Sequence, residues 1–460
     1  MTARGVARAR RNTWFFPGAV LALALPLMLG PGAQRARAAG PAAPPDTALG
    51  RFLGTLSDST DQYFGRAAAP LDTAGLDSAE AHAGAPHHEK RRLRDLVSLV
   101  PIFNFNRADG STFGGGVRIG NSYGIGRLEL DAAYTVAAQD WLGGATYRRR
   151  RERHGSRWTF ETWGGRTSVH MNRDYDEPFL DAARALVNGT DRTSTLRHDG
   201  WSASLERENR TWHAGLAIRD VLESAAETRA TWNLLNRDLI ITDNLPATTA
   251  RVRELGLGAG TRLAGLPVWT QADYWTAGPA LSSALAYDRV RLAAGGDLSL
   301  GRFASLVPQA AWGFVNGDQA PQEAFYLGAG PTLVSVPRDA QGGSSFGIAK
   351  LALVSPADLL QALHLPHPAM LVLEPGAFAA TAAVGGTDPY GGPARAGDQW
   401  PDRANWLSEA GISLDYAPGF GRNWIVRMSE AWPLGPTDRR ERFQLVFSRH
   451  LDLLRPLFED

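Results

Sequence analysis

Cysteine is absent from all 460 residues, which excludes disulfides, thiolate metal sites and thiol nucleophiles. Net charge is nearly absent too: 48 Lys+Arg against 47 Asp+Glu leave a formal +1. That balance supplies no basic footprint, so nucleic acid is not an expected partner. Beyond the N-terminus no stretch approaches about 18 uninterrupted apolar residues, which excludes a spanning helix downstream. Mean hydropathy is mildly negative, far from that of a helical membrane protein but compatible with strands that show water one face. Clustered metal ligands are also lacking. His87, His88 and Glu89 are adjacent in sequence and do not converge on one ion; they read as a solvated charge run. No metal and no cofactor is expected.

Arginine 4, 8, 10 and 11 precede an apolar stretch from Trp14 to Gly30 that closes on Ala36-Arg37-Ala38. This basic, apolar, small-residue order predicts a secretory signal peptide over 1–38. Residues 39–96 are rich in Ala, Pro, Asp and Gly and read as a flexible periplasmic leader.

From Ser98 onward the chain alternates. Leu128, Leu130, Ala132, Tyr134 and Val136 share one parity; Arg127, Glu129, Asp131 and Thr135 take the other. Near the far end, Ile412, Leu414 and Tyr416 repeat the pattern, as do Phe443, Leu445 and Phe447. A period of two means a strand whose faces meet different surroundings. A soluble sandwich and a membrane barrel both satisfy it, so connection lengths must decide. About sixteen strands are predicted, with long insertions near 172–197, 222–250, 316–343 and 385–404, each after an odd-numbered strand. Long connections at one end and mostly short ones at the other are the habit of an up-and-down barrel; the linker 356–368 is the exception. The predicted fold is therefore all-β, a transmembrane antiparallel up-and-down barrel over 97–451 with a short tail, 452–460. Its outer face would meet outer-membrane lipid. Nine tryptophans near strand ends (141, 158, 201, 212, 269, 275, 406, 424 and 432) suit aromatic girdles.

The first hairpin, Phe105-Asn106-Arg107-Ala108-Asp109-Gly110 followed by Phe113-Gly114-Gly115-Gly116, resembles that of the BamA/TamA-type bacterial surface-antigen barrels. Ala410 to Asp415, Val426 to Leu434 and Arg442 to Phe447 resemble their closing strands. The resemblance implies sixteen strands, a seam between Leu99–Asn106 and Arg442–Leu451, and a loop folded into the lumen. The lead-in of that loop is matched by Phe325, Tyr326, Leu327, Gly328 and Gly330. Its Arg-Gly-aromatic tip is not: Val334-Ser335-Val336 stands there, with Arg338 beyond. POTRA modules are not recognisable upstream.

The resemblance implies insertion or passage of a polypeptide or lipid-like client, with the outer-membrane assembly machinery as the partner for the chain's own insertion. A passive pore or surface-display barrel is the alternative, its selectivity set by lumen-facing Arg127, Glu129, Asp131 and Arg427. A barrel lipase or protease would need a rim His such as His170, between Ser168 and Asn172. No nucleophile motif accompanies it, and no catalysis is expected.

Overall fold

The computed structural model describes residues 97–122, 125–153, 155–173, 186, 194–209, 211–230, 244–263, 267–301, 304–328, 332–337, 339–355, 358–365, 372–416, 425–435 and 439–448. The signal peptide, the leader, the helix-like piece at 177–187 (save Leu186), Trp424 and the tail lie outside them.

The strands are β1 (Val97–Asn106), β2 (Gly110–Asn121), β3 (Gly126–Thr135), β4 (Asp140–Arg153), β5 (Ser156–His170) and β6 (Thr195–Glu208). They continue with β7 (Trp212–Ala225), β8 (Ala250–Arg262), β9 (Val268–Ala277), β10 (Tyr287–Gly296), β11 (Leu298–Ser299) and β12 (Ser305–Gly317). A small hairpin, β13 (Phe325–Leu327) and β14 (Gln341–Gly343), precedes β15 (Ser345–Val354), β16 (Leu373–Gly385), β17 (Leu407–Tyr416), β18 (Ile425–Leu434) and β19 (Arg442–Ser448). Seventeen strands form one sheet, and β13 pairs only with β14. Because β11 is a two-residue continuation of β10 onto the same neighbour, β12, sixteen strands make the wall.

Each wall strand pairs antiparallel with the next, from Val97↔Ile119 between β1 and β2 to Ile425↔Ser448 between β18 and β19. Among the described residues no register joins β1 to β19. The sheet nevertheless curls round a common interior. Residues 318–344 touch Met171 beside β5 through Tyr326 and Glu409 on β17 through Val334, two places far apart along the meander. Arg107, in the β1–β2 turn, likewise donates to Ser194 Oγ and Asn244 Oδ1.

Alternation sets the two faces. On β7, Leu216, Ile218 and Leu222 are exposed outward while Ala217, Arg219, Val221 and Glu223 are buried inward. On β3, Leu130 and Tyr134 face out and Thr135 is buried. An outer wall of Leu, Ile, Phe and Trp around a polar, charged interior inverts the soluble arrangement and is what lipid selects. Among the described residues no helix is long and apolar enough to cross a membrane; the strands do so. The fold is a transmembrane antiparallel β-barrel with about the expected strand number.

The long connections 171–194, 226–249, 318–344 and 386–406 all leave from one end of the barrel. The other end has short turns apart from 355–372, which carries the one-turn helix Leu359–Ala362 capped by Asp358. The expected insertion near 222–250 is shorter than its sequence suggested, since β7 runs on to Ala225. Two of the nine tryptophans depart from the girdle expectation. Trp269 and Trp275 share parity with buried Gln271, opposite to exposed Tyr274, and so point into the lumen. Small residues make room for them: a Cβ on Gly256 would sit 2.5 Å from the Trp275 ring. Trp141, Trp158, Trp201 and Trp432 do face outward.

Candidate functional site

The described residues of 318–344, between β12 and β15, pack against the inner side of the wall. Their entry is a 3-10 turn, Pro321–Glu323, with proline at its start where no N–H is needed. The chain then runs along β13 and returns along β14, register Phe325↔Gly343 to Leu327↔Gln341. Gly328 turns the chain at φ +122°, and a Cβ there would lie 1.8 Å from the Pro337 carbonyl oxygen, so only glycine fits. Phe325 stacks on Phe346 of β15 at 4.4 Å, with the Arg289 guanidinium of β10 4.3 Å from its ring centroid. Leu327 and Leu333 are wholly buried beside Val252, Ile348 and Ala382 of the wall.

The tip is held by a wall carboxylate. Glu409 on β17 accepts from Val334 N at 2.8 Å and from Ser335 N at 2.7 Å. Arg439, between β18 and β19, donates to Ser335 Oγ and to the Ser408 carbonyl, both at 2.9 Å. Val334 packs with Phe378 and Ala431. The Arg-Gly-aromatic tip implied by the resemblance is absent here, and the acid is met by the backbone amides of Val334 and Ser335. Charge-assisted bonds to buried carboxylates are the strong kind.

At its other flank the segment joins a buried ionic network. Arg173, just after β5, reaches Glu323 at 2.8 Å, Glu223 of β7 at 3.2 Å and Glu254 of β8 at 3.6 Å. Arg219 bridges Glu223 at 3.0 Å and Glu254 at 2.7 Å. His198 Nε2 lies 3.3 Å from Glu223, and the Tyr287 hydroxyl bonds Glu254. Three carboxylates thus face two guanidiniums. Burial raises the Glu323 carboxyl, Arg173 pulls it back, and Glu223 and Glu254 raise it again, leaving it pushed up to about 7. Burial disfavours the Arg173 cation, yet Glu323, then Glu254, Tyr287 and Glu223, hold it well above its ordinary value.

Three further contacts fasten the segment. Gln322 exchanges both its amide bonds with the Thr248 backbone, at 3.1 and 2.8 Å. Asn172 Nδ2 donates to Asp339 Oδ1 at 2.7 Å, and the Tyr326 hydroxyl to the Pro321 carbonyl at 2.6 Å. Above them, Asn106 Oδ1 accepts from Ala108 N and Asp109 N, shaping the β1–β2 turn. Asp109 there pairs with Arg197 and accepts from Ser168 Oγ at 2.7 Å.

Of the residues singled out in sequence, Phe325, Tyr326, Leu327 and Gly328 lie together in this interior segment. Gly330 and Arg338 lie outside the described residues. Arg127 pairs with Glu129 at 3.1 Å, alongside Arg118 at 2.6 Å, on the lumen side near the short-turn end. Asp131 follows on the same parity of β3, half-buried. Arg427 is elsewhere, on β18, forked onto Asp415 with Nε at 2.6 Å. His170 ends β5; its neighbour Ser168 bonds Asp109 and Arg197, and Asn172 bonds Asp339. Among the described residues no group of His, Asp and Glu could hold a metal ion.

Glu409, Arg173, Glu254 and Glu323 were not singled out; Glu223, with His213 and Asp220, reads in the sequence only as a polar option for a rim catalytic site, and it lies instead in the ionic network. Glu409 carried one signal: a carboxylate beside apolar Leu407 and Gly411 in a strand whose opposite parity holds Ile412. The network residues come from four separate elements and leave no local pattern.

No family model matches the chain, and no curated protein matches it in sequence. Solved structures similar to it include BamA from Haemophilus ducreyi lacking POTRA domains 1–3, at 13% identity, 77% of this chain, 70% of that chain and TM-score 0.46. CdiB from Acinetobacter baumannii matches at 10% identity and TM-score 0.41 over 77% of this chain and 59% of its own. OccK10 (OpdN) from Pseudomonas aeruginosa matches at 12% identity and TM-score 0.36 over 77% of this chain and 97% of its own.

Proposed function

We propose that the chain is an outer-membrane barrel with a gated lumen, which assists insertion or passage of a polypeptide or lipid-like client. One observation carries the gating: the described residues of 318–344 lie inside the wall and are pinned by Glu409 at the tip and by the Arg173–Glu323 network at the root. A passive channel needs an open aqueous path, and here Gln322, Glu323, Leu327 and Leu333 have essentially no exposure. The exported N-terminus expected from the sequence and the outward apolar wall support the outer membrane, with the long connections outside the cell.

Lower in the lumen, the pairs Arg118–Glu129, Arg148–Glu161 and Arg157–Glu208 line the wall toward the short-turn end. They give a charged passage once the plug moves. On the outer wall beside β1, Leu99 to Pro101, Gly115 to Val117 and Leu130 to Ala132 enclose an apolar groove of about 580 Å³ next to the expected seam. An apolar surface there supports a client that enters the bilayer beside the barrel.

Planar-bilayer recording tests the reading. The intact chain should show little steady conductance, with brief openings. Removal of residues 324–340 should produce a stable open channel. A steady, full-sized conductance from the intact chain supports the passive pore instead.

A further inference from the structure

The outward arginines of the barrel fall into two groups. At the long-loop end they are matched within the wall: Arg166 meets Asp140 at 2.8 Å, and Arg251 and Arg253 meet Asp220 at 2.6 and 3.0 Å. At the short-turn end they are not. On β4, Arg149, Arg151 and Arg153 share the outer face, all exposed, while Arg148 and Arg150 take the opposite parity and Arg148 pairs inward with Glu161. Among the described residues these three make no side-chain ion pair or hydrogen bond. The registers set Arg149 opposite Phe160, Arg151 opposite Trp158, and Trp158 in turn opposite Arg207 of β6. Arg207 is exposed, with its guanidinium 5.1 Å from the centroids of both Trp158 and Trp212. The nearby carboxylates Glu152, Glu206 and Glu208 take the opposite parity. Toward the middle of the wall, Phe160, Leu205 and Leu216 are exposed and apolar.

Four guanidiniums, two indoles and an apolar field beyond them are arranged by depth. Tryptophan prefers the headgroup level of a bilayer, arginine reaches from there to phosphate with a forked donor pair, and the aliphatic surface takes acyl chain. Among the described residues no counter-charge lies on this face, which leaves it suited to an anion from the membrane. We propose that the outer face of β4–β7 at the short-turn end is a binding site for an anionic glycerophospholipid. Its phosphate sits between Arg149, Arg151 and Arg153, and its acyl chains lie over Phe160 and Leu205. The site belongs to the leaflet that adjoins the short turns. It does not depend on whether the lumen is gated.

The test uses the full chain in nanodiscs of phosphatidylcholine with a minor fraction of phosphatidylglycerol. Retained lipid is counted by native mass spectrometry after gentle delipidation. The wild type should retain phosphatidylglycerol over phosphatidylcholine. The triple variant R149Q/R151Q/R153Q should bind it about tenfold or more weakly, each arginine near the surface being worth on the order of 1 kcal/mol. The control R166Q/R251Q, which removes the matched arginines, should bind as the wild type does. Purified lipid A at equal concentration should not displace the phospholipid. Raising salt from about 0.05 to about 0.5 M should release it from the wild type, which decides the matter even for a triple variant that fails to fold. Equal retention of phosphatidylcholine, displacement by lipid A, an unaffected folded triple variant, or retention that ignores salt overturns the proposal.

Discussion

In the proposed gating, closure of the lumen turns on Glu409. It is wholly buried, and its two oxygens take the amides of Val334 and Ser335. Glu409→Ala removes both acceptors and leaves two buried donors unanswered, a cost of roughly 3 kcal/mol to docking of the tip. Glu409→Gln keeps one oxygen as acceptor and turns the other end into a donor facing an N–H, so it should weaken docking by roughly half as much. Hydrogen exchange at residues 333–336 should rise steeply in the first variant and modestly in the second; unchanged protection in Glu409→Ala contradicts the anchor. Glu323 gives the closure a pH dependence. Its pKa in place, about 7, stands above that of a free glutamate, so the docked segment holds the proton that the released one loses. Docking is therefore strongest below about pH 4.5 and weakens as pH rises through about 7, by about 3 kcal/mol at most. Openings should be more frequent at pH 8.5 than at pH 5.5, and Glu323→Gln should flatten that difference. Equal opening at both pH values in the wild type contradicts it.

The β13–β14 hairpin makes a free loop into a plug. Its backbone donors and acceptors pair with each other, so the segment enters the lumen without stripping hydrogen bonds from the wall. Gly328→Ala meets both the positive φ and the Pro337 carbonyl, which should unfold the hairpin while leaving the wall intact. The expected result is a normally folded, heat-modifiable barrel with raised steady conductance. A closed channel in this variant contradicts the hairpin's role. At this scale the sequence was informative for the wall and poor for the plug. The alternation on β3 and β7 reports burial directly, because one face meets lipid and the other does not. The lead-in from Phe325 to Gly328 could be found only by resemblance. Trp269 and Trp275 went the wrong way because tryptophan suits both a girdle and a packed lumen, and only the glycines facing them decide.

For the whole molecule, three features had to agree: an inverted wall, long connections at one end, and a polar interior whose buried charges meet opposite partners. The first two follow from residue parity and spacing, and were legible in the sequence. The third was not, since Arg173, Glu223, Glu254 and Glu323 come together only when the sheet curls. A network of this kind is costly unless complete. Arg173→Ala, which strands three buried carboxylates with Arg219 alone, should destabilise the closed state by roughly 3–5 kcal/mol.

The central claim is that residues 318–344 close the barrel from within, held at Glu409. A chain without cysteine allows the most direct measurement: Val334→Cys as the only thiol, probed with a membrane-impermeant maleimide on the folded protein in liposomes. Val334 is buried against Phe378 and Ala431, so the single-cysteine protein should label at least about tenfold more slowly than after addition of Glu409→Ala, as loss of roughly 3 kcal/mol of docking requires. Fast labelling of Val334→Cys with Glu409 intact, equal to that of the double variant, would mean that the segment does not close the lumen.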